Sequence, residues 1–280
     1  MKMGAVLTLG LVSPGGFGCA GDSCDAGNTM RPGGGQSDLR GGLPALPPGA
    51  TWQWQITGQV ETDLDVSVYD VDLFDVDASQ IGGMVADGKV VICYLSAGSY
   101  EEWRPDAGDF PPEVRGKPLE GWEGESWLDI RSPVVRTIME TRLDLAVQKG
   151  CDGVEPDNVN AFSNDSGFDL TRDDQLDFNR FLASAAHDRG LSVGLKNAPE
   201  LVEDLVGDFD WSLVEECAAY DECADYRPFI DAGKAVFHVE YVDVECDDAS
   251  TSVCNNPSRD GFSTLVKEWD LGAWGLSCAS

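Results

Sequence analysis

Short apolar runs that stop abruptly at a polar or charged residue recur along this chain, and Gly150-Cys151-Asp152-Gly153-Val154-Glu155-Pro156-Asp157-Asn158 shows the pattern most sharply. A strand buried on both faces has no use for a charge until its C-terminal edge, where parallel α/β folds build their active sites. Asp157 is therefore the first catalytic candidate. Strands are read near 51–57, 66–72, 90–96, 151–156, 191–196, 210–215, 234–240 and 271–276. Eight strands with amphipathic segments between them predict a single-domain α/β fold, a (β/α)8 TIM barrel, rather than an open doubly wound sheet. No glycine-rich phosphate fingerprint follows the first strand, so no dinucleotide site is expected.

Two of the helices carry their own boundaries. Ser132-Pro133 supplies a cap and a first-turn proline, Val135, Ile138, Met139 and Ala146 share a face, and Gly150 ends the run. Thr171 caps a second helix, with Phe178, Phe181, Leu182 and Ala185 at helical spacing and Gly190 at its end. The segment from Ser99 to Ile130 fits no simple helix. It holds Tyr100, Trp103, Trp122 and Trp127 and follows the third strand, a position from which a loop can wall a cleft. Each of these aromatics is either a sugar platform or packing that holds the loop down.

Residues 1–19 have the layout of a signal peptide: Met1-Lys2, an apolar run from Gly4 to Val12, then Pro14 and small residues up to Gly18-Cys19. That run is too short to span a bilayer as a helix. Cys19 is a candidate for lipid attachment, although Gly16 stands where lipoprotein signals usually carry Leu. Residues 20–50, rich in Gly and Pro, read as a flexible linker, which leaves 51–280 for the barrel. The expectation is a secreted monomer or a surface-anchored lipoprotein.

Nine cysteines in an exported chain predict disulfides. Cys217 with Cys223 and Cys246 with Cys254 are the favoured pairs, each bracketing a short loop. Cys93 and Cys151 lie in apolar strand patterns that also suit buried free thiols. With no CxxC and with His187 and His238 far apart, neither a metal nor another cofactor is expected.

The chain carries 19 Lys+Arg against 50 Asp+Glu, a formal net charge of -31. That balance argues against nucleic acid and anionic membranes as partners and favours a cationic ligand. Solubility alone also accounts for it. The strand ends gather Gln53, Gln55, Asp70, Asp72, Tyr94, Ser96, Asp157, Asn158, Lys196, Asn197, Glu215, Glu216, Glu240 and Tyr241. Carboxylates without a serine elbow or a convenient histidine point to glycoside hydrolysis, in which one carboxyl group donates a proton and the other attacks or activates water. A lysine such as Lys196 can keep one acid ionised while burial raises the other. Asp70, Asp72, Asp75 and Asp77 resemble a calcium cluster but lack the glycine and distal glutamate of an EF-hand. Asp70 is expected to line the cleft and the later two to be solvated.

Seven motifs in order, Thr51-Trp52-Gln53-Trp54-Gln55, Val68-Tyr69-Asp70-Val71-Asp72, Val91-Ile92-Cys93-Tyr94-Leu95-Ser96-Ala97-Gly98, Gly153-Val154-Glu155-Pro156-Asp157-Asn158, Lys196-Asn197-Ala198-Pro199, Glu215-Glu216-Cys217 and Phe237-His238-Val239-Glu240-Tyr241, resemble glycoside hydrolase family 114 from about Thr51 to Cys278. The resemblance implies a barrel that cuts internal α-1,4 linkages of galactosamine polymers. It implies Asp157 and Glu215 as the catalytic pair, with Asp157 as nucleophile or base and Glu215 as proton donor. Asp70, Asp72, Tyr94, Asn158, Lys196, Glu240 and Tyr241 are expected to bind or orient substrate. Glu155, two residues before Asp157, is expected to point into the barrel lower down and hold the site in shape. Val214 departs from the family, where asparagine is common. A non-catalytic glycan-binding barrel, or a hydrolase of a neutral glycan, remains the alternative.

Overall fold

A computed structural model of the chain describes residues 44, 46–242 and 252–278. The expected signal peptide, Cys19, nearly all of the expected linker and Cys246 lie outside them. Eight parallel strands curl side by side: β1 (Trp52–Gln55), β2 (Val68–Asp72), β3 (Val90–Ser96), β7 (Gly153–Asp157), β8 (Ser192–Lys196), β9 (Trp211–Glu215), β10 (Val236–Tyr241) and β11 (Ser263–Lys267). A two-residue strand, β12 (Leu276–Ser277), pairs antiparallel with β11. Trp52 Nε1 donates to Ser263 O at 2.9 Å, so a side chain links the first strand to the eighth.

The expected eighth strand at 271–276 is corrected by this topology. Ser263-Thr264-Leu265-Val266-Lys267 takes that place, buried throughout and in register with Phe237–Tyr241. A short apolar run beside glycine and tryptophan reads as a strand, but Gly272 and Gly275 break the later stretch into a loop. The helical ring is also uneven. α1 (Ala78–Ala86), α2 (Pro133–Lys149) and α3 (Arg172–His187) are full helices, whereas α4 (Val202–Leu205) and α5 (Arg227–Asp231) are single turns.

Local chemistry explains the boundaries. Ser132 caps α2 and Gly150 ends it in the left-handed conformation, while Thr171 and Asp174 form a reciprocal capping box on α3. Asp77 caps α1 and is exposed, as is Asp75.

Strand alternation divides the core in two. Tyr69, Val71, Val91, Cys93, Leu95, Val154, Val193 and Leu195 face the helices. Trp52, Trp54, Val68, Ile92, Trp211, Leu213 and Phe237 fill the barrel. Trp52 and Trp211 pack on Phe237 with centroids 4.7 and 5.5 Å away. Gly194 makes room for this layer, since a Cβ there would lie 2.1 Å from the Trp211 ring.

The segment after β3 forms a small antiparallel sheet, in the order β4 (Ser99–Glu101), β6 (Glu125–Leu128) and β5 (Arg115–Pro118). Trp127 is buried and Tyr100 packs edge-on to Phe110, while Trp103 and Trp122 stay exposed. Three disulfides join Cys93 to Cys151, Cys217 to Cys223 and Cys254 to Cys278. The free-thiol reading of Cys93 and Cys151 is thereby corrected, because one sits in β3 and the other just before its neighbour β7. Cys254 takes Cys278 rather than Cys246, since the two lie in segments brought together at the end of the barrel.

Candidate active site

Three neighbouring strands deliver the central charges, each at its final residue: Asp157 from β7, Lys196 from β8 and Glu215 from β9. Each is followed by a residue in the left-handed region, Asn158 (φ 61), Asn197 (φ 47) and Glu216 (φ 55). Such backbone is costly for side chains with a Cβ, and asparagine tolerates it best. The turn aims Asn158 N back at Asp157 Oδ1, 2.7 Å away. Gly98 completes that corner, since a Cβ on it would lie 1.8 Å from Asn158 O.

Lys196 Nζ lies 3.6 Å from Asp157 Oδ2, 3.3 Å from Glu215 Oε2 and 2.7 Å from Glu155 Oε1, with the Trp54 ring 4.5 Å away. Burial alone would discharge this lysine, but the three carboxylates outweigh it and hold it charged. Burial likewise opposes ionisation of Glu215. Lys196, a hydrogen bond from Tyr241 and the Asn197 amide at 3.0 Å overcome it, so Glu215 stays below the ordinary carboxylate range. Tyr94 donates to Asp157 Oδ2 at 3.2 Å. Burial, then the nearby carboxylates, push both phenols well up, so they act as donors.

Beneath the pair lie two buried acids whose pKa values are raised. Glu155 is sealed from solvent and takes hydrogen bonds from Lys196 and from Trp54 Nε1 at 3.1 Å. Burial, only partly offset by Lys196, raises its pKa to about 7. Asp70 is also sealed, and no protein donor reaches either of its oxygens. Burial first, then the neighbouring Glu155 charge, push it well above the ordinary range, so Asp70 keeps its proton.

Several residues expected to bind or orient substrate are buried among protein partners. Asp70 lies under the cleft floor rather than lining it. Asp72 is clamped by Arg104, whose Nη1 and Nη2 donate at 2.9 and 2.7 Å. Glu240 is buried between the Ala218 amide and His238, each 2.8 Å away. Lys196 is only 2% exposed and acts through the acids it touches. Asp157, Asn158, Glu215 and Tyr241 keep partial exposure.

The sequence reading missed Glu125 and Ser99. Asn158 Nδ2 donates to Ser96 Oγ and Ser99 Oγ at 3.0 and 3.3 Å, and Ser99 Oγ donates to Glu125 Oε2 at 2.7 Å. Burial, against that serine hydrogen bond and with Glu101 and Asp157 adding to it, raises the Glu125 pKa to about 7. Glu125 comes from the inserted sheet, so no strand-end pattern marks it. Asn197 was visible, directly after Lys196. Among the described residues, Cys217, Cys223 and His238 form the metal-ligand cluster, but its sulfurs are bonded to each other and offer no thiolate.

A parallel barrel with paired acids at its strand ends around one lysine fits a site of the glycoside-hydrolase class. The model of glycoside-hydrolase family GH114 matches residues 39–280, and the chain belongs to that family. The crystal structure of Aspergillus fumigatus Ega3 in complex with galactosamine is similar at 41% identity and TM-score 0.82, covering 86% of this chain and all of that one. The glycoside hydrolase domain of PelA from Pseudomonas aeruginosa shares the fold at 15% identity and TM-score 0.65, covering 82% of this chain and 98% of that one. So does the Thermus thermophilus α-galactosidase TtGalA, at 14% identity and TM-score 0.54, covering 79% and 58%. No curated protein matches.

Proposed function

We propose that this protein is an exported, endo-acting hydrolase of α-1,4-linked galactosamine polymers, with Asp157 and Glu215 as its carboxyl pair. The observation that carries the pair is the single Lys196 ammonium within 3.6 Å of one acid and 3.3 Å of the other. One cation between two carboxyl groups keeps them close, and hydrolysis of a glycosidic bond uses such a pair with one member carrying a proton and the other ionised. The galactosamine bound to Ega3, a structure 41% identical, supports an amino-sugar substrate, and so does the net charge of -31.

Asp157, held by Tyr94, Asn158 and Lys196, has the donors that a nucleophile or base needs. Glu215 is ionised at rest, so the proton-donor role requires bound glycan to exclude Tyr241 or Asn197 from it and raise its pKa. Disulfides suit an oxidising compartment outside the cytosol, in keeping with the signal-like residues 1–19. Cys19 would anchor the chain if acylated. Among the described residues no helix is long and apolar enough to cross a membrane.

The test is a panel of galactosamine polymers graded from fully acetylated to fully deacetylated, read by new reducing ends. Cleavage should rise with the fraction of free amine and weaken with added salt. Cleavage of neutral chains alone would defeat the amino-sugar assignment.

A further inference from the structure

The loop between β11 and β12 is fastened to the barrel along its length. Lys267 Nζ donates to Gly272 O and Gln53 Nε2 to Ala273 O, both at 2.7 Å, and Thr57 Oγ1 donates to Asp270 O at 2.6 Å. Ile56 N reaches Leu271 O at 3.2 Å, and the Leu271 side chain is buried from a left-handed backbone at φ 52. A loop ordered this firmly could bury its rings, yet it leaves Trp269 48% exposed.

The Trp269 ring stacks on Tyr241 with centroids 4.0 Å and planes 17° apart. One face is therefore covered, and its exposure belongs to the other face and the edges. Tyr241 in turn donates its hydroxyl to Glu215. The bare indole thus stands one ring away from a carboxylate of the proposed pair, on a rigid support.

We propose that Trp269 is a sugar-stacking subsite that takes a hexosamine ring of the polymer on the Glu215 side of the cleft. The inference rests on the reading of the site as a glycan hydrolase and adds to it the place where an outlying ring sits. A pyranose covers an indole with its C–H face while its hydroxyls remain in water. A free amine adds cation–π attraction that an N-acetyl group lacks. An indole already fixed by Tyr241 loses little conformational freedom on binding.

The experiment measures calorimetric binding of galactosamine oligosaccharides and of neutral galactose oligosaccharides to the Asp157→Asn protein, with and without Trp269→Ala. Trp269→Ala should weaken galactosamine binding by roughly tenfold, with Trp269→Phe recovering part of it. In the otherwise unaltered chain, Trp269→Ala should raise KM and leave kcat near its starting value. A Kd within about twofold of the parent would overturn the subsite, as would a fall in kcat with unchanged Kd, which would make Trp269 only a prop for Tyr241. Trp269-dependent binding of neutral oligosaccharides alone would uphold the subsite and defeat the amino-sugar substrate. Binding of neither class would overturn it.

Discussion

At the scale of the residue, the site is an arrangement of protons and charge. Lys196 supplies the one central ammonium, Glu215 and Asp157 take it from above, and Glu155 takes it from below. Removing that ammonium leaves three acids facing one another without compensation. Lys196→Met should therefore cost about 3–5 kcal/mol of folding stability by denaturant titration, and it should abolish hydrolysis at neutral pH. A variant as stable and active as the parent would mean that the lysine is incidental. Asp157 and Glu215 were legible because each closes an apolar run. That Asp70 and Glu240 are buried was not, because a strand end shows which face a side chain takes but not how deep it lies. Asp70 sits two residues before the end of β2, fully buried, with the Glu155 carboxyl raising its pKa.

At the scale of the element, periodicity and capping carried the reading furthest. Ser132-Pro133 and Gly150 bound α2, and Thr171 opens α3, because caps and left-handed glycines are local chemistry; α3 itself ends at His187, with Gly190 in the turn that follows. The eighth strand escaped for the opposite reason. Ser263–Lys267 and the stretch from Leu271 to Leu276 are both short and apolar, and only pairing with β10 chooses between them. The inserted sheet β4-β6-β5 was visible as an anomaly and no more, since its antiparallel pairing depends on contacts across the segment. With it went Glu125, which reaches Asp157 only through Ser99, Ser96 and Asn158. The Cys93–Cys151 bond was similarly hidden, because sequence does not state that β3 and β7 are neighbours.

At the scale of the molecule, acidity governs stability. Asp70 is raised well above its ordinary pKa, and Glu125 and Glu155 are raised to about 7, so the folded chain holds protons that the unfolded chain releases near pH 4. Their stabilising effect is complete below the unfolded values and is lost as pH rises through about 7. Glu215 works in the opposite sense, losing its contribution as pH falls below the ordinary glutamate range. The melting temperature should therefore fall from about pH 5 towards pH 8, with a shallower fall in Glu125→Gln. A melting temperature that rises from pH 5 to 8 would contradict this proton distribution. The central claim is that Asp157 and Glu215 cut a galactosamine polymer from within. Mass-resolved products of deacetylated polymer, followed over time for the parent, Asp157→Asn and Glu215→Gln, test it most directly. The account predicts mid-length oligosaccharides from the parent and a rate loss of roughly 10²- to 10⁴-fold in each variant. Near-parent hydrolysis by either variant, or no new chain ends from the parent, would contradict it.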